Sequence, residues 1–246
     1  MEPPLRLATL NIEQDKHLDR VENFLRTTRP DIVCLQELME RDIPKIEKAL
    51  QAQITFAPMT IHQTQSTPGV LGVGTCSRLP IRTSHIYQYY GKEGGLVLHD
   101  ETSEISRIET TCFVVLVSDI ETKDGLVRIA TTHLPKSDVG SDTTDSQREA
   151  VTNLLARLAP EGDLVLCGDF NAPRGQEIFS TLAARYKDNV PPHYTTSIDG
   201  ALHKAGPLPF MVDGIFSTPG YAITSVEMKD GISDHCALVA DISKPI

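Results

Sequence analysis

Six short segments of this chain end or begin apolar runs with side chains that could hold a cation and move protons. Asn11 and Glu13 follow the run at residues 7–10, and Gln36 and Glu37 follow Ile32-Val33-Cys34-Leu35. His133 closes the run at 127–132, and Gly168-Asp169-Phe170-Asn171 closes the run at 164–167. Asp213 opens Asp213-Gly214-Ile215-Phe216, and Ser233-Asp234-His235 precedes the last apolar run. Carboxylates, amides and imidazoles without thiolate partners favour a hard cation such as magnesium over zinc. Taken singly, each segment has an ordinary reading. Asn11 and Gly-Asp-Phe-Asn could be turn residues, Glu37 a solvated helix start, His133 a satisfied histidine and Ser-Asp-His a cap. All six would have to be incidental at once, in one chain order, so convergence on one pocket is the expectation.

Strands must carry these groups. Residues 5–12 read as a strand, and residues 17–28 place Leu18, Val21, Phe24 and Leu25 on one helical face. Pro30 breaks that helix, residues 31–36 form a buried strand, and a second helix turns Ile43, Ile46, Ala49 and Leu50 inward. Consecutive strands are expected at 54–57, 70–76, 81–90, 105–120 and 126–133, with a hairpin turn at Lys123-Asp124-Gly125. A helix over 146–158 opens on a Ser146/Glu149 capping box. A strand at 164–168, a helix at 177–186 and strands at 212–217, 222–228 and 236–242 complete the pattern. This order predicts an α/β fold of two packed mixed sheets flanked by helices. Residues 91–104, 135–145 and 190–211 lack a regular pattern and are expected to shape a cleft.

A chain of 246 residues suits one large α/β domain over 1–246 rather than two small ones, and needs no covalent staples. No apolar run is long enough to span a bilayer, and Met1-Glu2-Pro3-Pro4 does not open a signal peptide. Five cysteines are scattered without the paired spacing of a zinc site. They read as free thiols in a reducing compartment, so an intracellular, cytoplasmic location is expected. The net charge of −10 weighs against a broad basic face for nucleic acid, although carboxylates gathered for a cation contribute to it.

The segments Ala8-Thr9-Leu10-Asn11-Ile12-Glu13, Val33-Cys34-Leu35-Gln36-Glu37, Thr132-His133-Leu134, Cys167-Gly168-Asp169-Phe170-Asn171, Val212-Asp213-Gly214-Ile215-Phe216 and Ser233-Asp234-His235 resemble a known set. In order and spacing they are similar to the signature blocks of the endonuclease/exonuclease/phosphatase superfamily. Ser77-Arg78-Leu79-Pro80-Ile81 is similar to its Ser-Arg-x-Pro-Ile strand opening. The resemblance runs from about Leu5 to Asp241, with Gly-Asp-x-Asn and the late Ser-Asp-His as its most specific parts. It implies a four-layer α/β sandwich and a magnesium-dependent phosphoester hydrolase, with manganese as an expected substitute ion.

By that resemblance Glu37 is the main magnesium ligand, with Asn11, Glu13 and Asp234 in or near the coordination shell. Asn11 also touches substrate. Asp169 orients and deprotonates the attacking water, and Asn171, facing the same way on an extended Asp-x-Asn, holds that water or a phosphate oxygen. His235 contacts the scissile phosphate, either stabilising charge as an imidazolium or assisting the leaving group. Asp213 orients His235 and raises its pKa. His133 takes the second phosphate-contacting position, and Arg107, expected to open a strand, is a further phosphate-binding candidate. Three positions depart from the family pattern. Leu10 stands where an aromatic residue is frequent, Met211 where an arginine is, and Gly214 where a tyrosine or arginine is. How the substrate is gripped therefore does not carry over.

The substrate expectation is a nucleic acid, cut internally or processed at its ends. Lys136, Arg148, Arg174 and Lys204 are its basic cleft candidates, and Tyr194 and Phe210 its stacking candidates. The alternative is a phosphatase or phosphodiesterase for a phosphorylated sugar, inositol or lipid headgroup. A non-catalytic binding protein of the same fold would normally have lost Glu37, Asp169, Asn171 or His235, and all four are present. No segment suggests a protein partner.

Overall fold

Apolar runs this continuous are strands covered on both faces, and the fold is built from layers that provide the cover. The structure, a computed structural model, describes residues 4–64, 67–137 and 142–244. The Met1-Glu2-Pro3 start and the middle of the expected 135–145 loop lie outside the described residues. In the first sheet are β1 (Leu5–Asn11), β2 (Ile32–Met39), β3 (Gln53–Gln63), β4 (Pro68–Ser77), β11 (Ala222–Lys229) and β12 (Ala237–Ser243). Their order is β11-β12-β1-β2-β4-β3. The second contains β5 (Ile81–Gly91), β6 (Cys112–Thr122), β7 (Gly125–His133), β8 (Val165–Asp169), β9 (Lys187–Asp188) and β10 (Asp213–Ser217), ordered β5-β6-β7-β8-β10-β9. Each sheet is mixed, with one parallel pair: β1–β2 in the first and β7–β8 in the second.

Helices α1 (Leu18–Thr28) and α2 (Ile43–Leu50) cover the first sheet, and α4 (Asp145–Leu158) and α5 (Glu177–Ala183) cover the second. Among the described residues no helix is long and apolar enough to cross a membrane. Side-chain alternation decides what each face meets. Leu7, Ile32 and Cys34 point between the sheets toward Ile129, Val165, Cys167 and Ile215. Ala8, Leu10, Val33 and Leu35 pack instead beneath Val21, Leu25 and Ile46 of the helices. Each buried Leu or Ile contributes about 1.5–3 kcal/mol, so the layers make a stiff frame. The expected four-layer α/β sandwich is the fold observed.

The same alternation sorts the chemistry. Asn11 lies two residues beyond Thr9, His133 two beyond Thr131, Asp169 two beyond Cys167, and Asp213 two before Ile215, all on the inter-sheet side. Beneath them Gln36 Nε2 donates to Thr131 Oγ1 at 3.0 Å and tips toward Thr9, tying the two sheets together. The C-terminal ends of both parallel pairs thus deliver their side chains to one gap between the sheets.

Several local expectations need correction. Residues 104–110 are not strand but α3 (Glu104–Thr110), so Arg107 rides on a helix rather than opening a strand. Ser103 supplies the cause: its Oγ accepts the Ser106 N–H at 3.0 Å, and Ile105 is 68% exposed, so no sheet requires these residues. The capping box of α4 is Thr144/Gln147, not Ser146/Glu149. Both pairs satisfy the pattern, but Gln147 Nε2 also donates to the carbonyls of Pro135 and Asn171 at 3.0 Å, and those tertiary bonds select the earlier cap. The helix expected to reach Tyr186 ends at Ala183.

Candidate active site

Glu37 reaches the gap through a defect. The β2–β4 register shifts between Leu35 and Leu38, and Glu37 has φ 55°, so it sits in a bulge rather than at the tip of a strand. A bulge re-aims a side chain that regular alternation would send the other way, here from beneath the helices into the gap. Asn11 Nδ2 donates to Glu37 Oε1 and to Asp169 Oδ2, both at 3.1 Å, and Gln14 Nε2 donates to Glu37 Oε2 at 2.8 Å. The Glu13 carboxylate faces Lys16 and, at 3.0 Å, His17. Asp234 accepts the Ser233 hydroxyl at 3.2 Å. Burial, with Glu13 and Glu37 nearby, outweighs His235 and the Ser233 hydroxyl and pushes the Asp234 carboxyl up to about 7. Glu13, Gln14, Glu37 and Asn171 all hold positive φ, a strain that the packed frame must sustain.

The second sheet supplies the opposite half. Asp213 stands across from Asp169 in the β8–β10 register, and His235 Nδ1 lies 2.7 Å from Asp213 Oδ2. Asp169 Oδ2 is 3.4 Å from His133 Nε2 and 3.8 Å from His235 Nε2. Asn171 is not on an extended segment as expected: its φ is 47°, and its N–H folds back to donate to Asp169 Oδ1 at 2.8 Å. The turn nevertheless leaves both side chains in the cleft, with Asn171 Nδ2 held by Leu134 O at 3.0 Å and 2.9 Å from His133 Nε2. Gly168 is required by the neighbouring strand, since a Cβ there would lie 2.3 Å from Thr132 O. Phe170 faces away and anchors the turn edge-on against Phe216, centroids 5.2 Å apart.

Burial alone would make both Asp169 and His235 neutral. For Asp169, His235, His133 and the Asn171 N–H outweigh burial and hold the carboxyl below its ordinary range. For His235, Asp213, Asp169 and Asp234 outweigh burial and hold the imidazole well above its ordinary value. Its stabilising contribution is therefore complete below the unfolded imidazole pKa and is lost as pH rises through the higher folded one. Asp213→Asn removes the nearest carboxylate, so NMR titration of the His235 ring should show a clearly lower pKa than in the parent. An unchanged ring pKa would mean that Asp213 does not set the charge of His235.

Asp169, Asp213 and His235 form the compact metal-capable trio among the described residues, with candidate ligand atoms within 4.8 Å of one another. A cation between Asp213 and His235 would break their 2.7 Å hydrogen bond. The Glu37 side fits a hard cation better. There the carboxylates of Glu37, Asp234 and the neighbouring Glu13 gather around one lysine, Lys16, as the raised Asp234 pKa registers, and oxygen donors predominate.

The loop at 190–211 holds this geometry together. Ile198 bridges His235, Asp199 N donates to Asp234 O at 2.9 Å, and Cys236 N donates to Ser197 O at 2.7 Å. Ser197 Oγ accepts both the Val212 and Asp213 N–H groups at 3.1 Å, so one residue positions Asp213 and the His235 strand together. Sequence reasoning missed Ser197, and no local pattern marks it. It also missed Gln14, whose only signal is its place beside Asn11 and Glu13.

Asn11, Glu13, Glu37, His133, Asp169, Asn171, Asp234 and His235 line one cleft of about 550 Å³, and Arg107 joins them from α3. Asp213 lies behind His235 rather than on the cleft surface. Arg107 Nη2 donates to Lys136 O at 3.2 Å. Arg148 and Arg174, expected in the cleft, are outside its lining. Arg148 makes two 2.8 Å bonds to Glu177, and Arg174 pairs with Asp188 at 3.0 Å and with nearby carbonyls. Tyr194 and Phe210 do not line the cleft either; Tyr194 packs on the inter-sheet core. Gly214 has a steric reason, because a Cβ there would lie 3.0 Å from the rings of Phe170 and Phe216. Met211 is buried in the inter-sheet core.

The model of the Endonuclease/Exonuclease/phosphatase family matches residues 8–235. No curated protein sequence matches the chain. Among solved structures, an endonuclease/exonuclease/phosphatase from Beutenbergia cavernae DSM 12333 is similar at TM-score 0.76 and 16% identity, covering 99% of this chain and 72% of that one. The human nocturnin catalytic domain with bound sulfate is similar at TM-score 0.71 and 20% identity, covering 99% and 94%. A mannosyl-6-phosphatase from Bacteroides thetaiotaomicron VPI-5482 is similar at TM-score 0.69 and 11% identity, covering 97% and 99%. At these identities the likeness is one of fold.

Proposed function

The chain belongs to the Endonuclease/Exonuclease/phosphatase family, a family of phosphoester hydrolases, and on that premise we propose that it hydrolyses a phosphoester with magnesium at Glu37 and a water oriented by Asp169. The observation that carries this reading is the Asn11 amide, which donates to Glu37 and to Asp169 at 3.1 Å each and so couples the ion-binding carboxylate to the base. Glu37 would hold the ion, with Asp234, Asn11 and Glu13 beside it. Bound there, magnesium supplies positive charge against the phosphate oxygens; manganese is expected to substitute.

Asp169 is ionised and accepts the proton of the water. Its depressed pKa makes it a weak base, so orienting the water is the larger part of its work, as a loose phosphoryl transition state allows. Asn171 and His133 fix that water and a phosphate oxygen from one side. His235, kept protonated by Asp213, faces the scissile phosphate as an imidazolium, and Arg107 meets the phosphate from the rim.

For the substrate, the reading supported best is a small phosphorylated molecule. Two of the basic residues that would have tracked a nucleic-acid backbone, Arg148 and Arg174, are spent on internal pairs, and the stacking candidates lie elsewhere. The nucleic-acid reading keeps Arg107 and the two cleft lysines in its support. A magnesium assay tests both. It should include p-nitrophenyl and bis-p-nitrophenyl phosphate, sugar and inositol phosphates, abasic duplex, single-stranded DNA and RNA. Turnover of small esters, abolished by chelator and little affected by salt, is expected. Cleavage confined to nucleic acid and falling steeply with salt would replace the small-substrate reading, and inertness toward the whole panel would end both. The free thiols of Cys34, Cys76, Cys112, Cys167 and Cys236 support an intracellular site of action.

A further inference from the structure

One wall of the cleft carries groups that this reaction leaves unused. Residues 97–99 run along the outer edge of β3: Leu98 bridges Ile61, the His99 N–H donates to Ile61 O at 2.7 Å, and the Ile61 N–H donates to Val97 O at 2.9 Å. This pairing covers an open sheet edge and stacks His62 on His99, ring centroids 5.6 Å apart. The Glu101 carboxylate lies 3.3 Å from His62 Nε2 and 3.9 Å from His99 Nε2. Its hydrogen bond with His62 raises that imidazole and, with His99 and Lys204 also near, lowers the carboxyl to about 2.

Lys136, His203 and Lys204 complete the mouth beside that group. Among the described residues neither lysine forms a salt bridge, and both are exposed. His203 registers the surplus: burial lowers its pKa, and His235, Lys136 and Lys204 push it the same way against Glu13. In a chain of net charge −10, two exposed lysines without a salt bridge at the mouth of an acidic cleft offer positive charge to an incoming anion.

From this placement we propose that Lys136 and Lys204 form a subsite for a second anionic group, a phosphate or a carboxylate, on the part of the substrate beyond the scissile phosphate. The inference rests on the phosphoester reading and narrows it to substrates with two anionic groups. Glu101 is shared between His62, His99 and Lys204, with His62 its hydrogen-bond partner, so it offsets only part of the attraction.

The test uses the full chain with magnesium and three esters of one alkyl chain: butyl phosphate, the butanediol bisphosphate, and the same chain ending in a carboxylate. The two doubly anionic esters should exceed butyl phosphate in kcat/KM by roughly five- to tenfold, less at high salt, as expected for a pair of exposed charges. Lys136→Ala/Lys204→Ala should bring that ratio to near one, with circular dichroism unchanged. A bisphosphate advantage without a carboxylate advantage would assign the subsite to phosphate alone. Equal kcat/KM for all three esters, or an advantage that survives in the double variant, overturns the subsite while hydrolysis stands. No hydrolysis of any of the three overturns the small-substrate reading, and the subsite with it.

Discussion

Asp169→Asn is expected to reduce magnesium-dependent turnover by about 10³–10⁴-fold, the upper range for a group that both positions and deprotonates. The substitution changes few atoms and much electrostatics. The Asn171 N–H keeps an oxygen to bond, since it uses Oδ1 at 2.8 Å. The new amide then faces Asn11 Nδ2, donor against donor, and the 3.1 Å link to Glu37 is broken at one end. His235 and His133 also lose the carboxylate that lies 3.8 and 3.4 Å away, so both pKa values should fall. Because the frame is made by the layers, circular dichroism should match the parent and Tm should move by only a few degrees. Turnover within tenfold of the parent at saturating magnesium would remove Asp169 from its assigned role.

Glu37→Gln is expected to raise the magnesium concentration for half-maximal activity by about 10–100-fold. Both carboxylate oxygens already accept amide hydrogens, from Asn11 at 3.1 Å and Gln14 at 2.8 Å, so the new amide nitrogen meets one of these donors. A second readout needs no turnover. In the parent, magnesium binding to the folded state should raise Tm with concentration, and Glu37→Gln should blunt that rise. The metal-free proteins should differ in the opposite sense. Burial and the charges of Glu13 and Glu37 hold Asp234 near 7 in the fold, above its unfolded value. A carboxyl raised in this way costs stability as pH rises from its unfolded pKa toward its folded one. Removing the Glu37 charge should relieve part of that cost, so the metal-free variant should melt slightly higher than the parent at neutral pH. Identical magnesium midpoints in activity and in Tm would show that Glu37 is not the principal ligand.

The local chain was readable where one physical cause dominated. The runs at 32–35 and 164–167 are apolar without interruption because their strands are covered on both faces, and that pattern survives in any context. The segment 105–120 was misread as all strand because Ile and Thr favour extended structure, while the Ser103 cap that starts α3 is a single residue. Arg148 and Arg174 looked available because a sequence does not show which carboxylate will meet which arginine.

What the sequence determined by itself is the inventory and the parity: which side chains can ligate or titrate, and which alternate positions share a face. The period of two along a strand is a covalent property, so Asn11, His133, Asp169 and Asp213 were committed to definite faces before any strand was paired. Only the tertiary structure decided that those faces meet. It brought the ends of two parallel pairs to one gap, turned Glu37 into it through a bulge, and set His235 2.7 Å from Asp213 through a loop anchored by Ser197. These outcomes depend on register and charge pairing between segments far apart in the chain, whose energies exist only after the layers have packed.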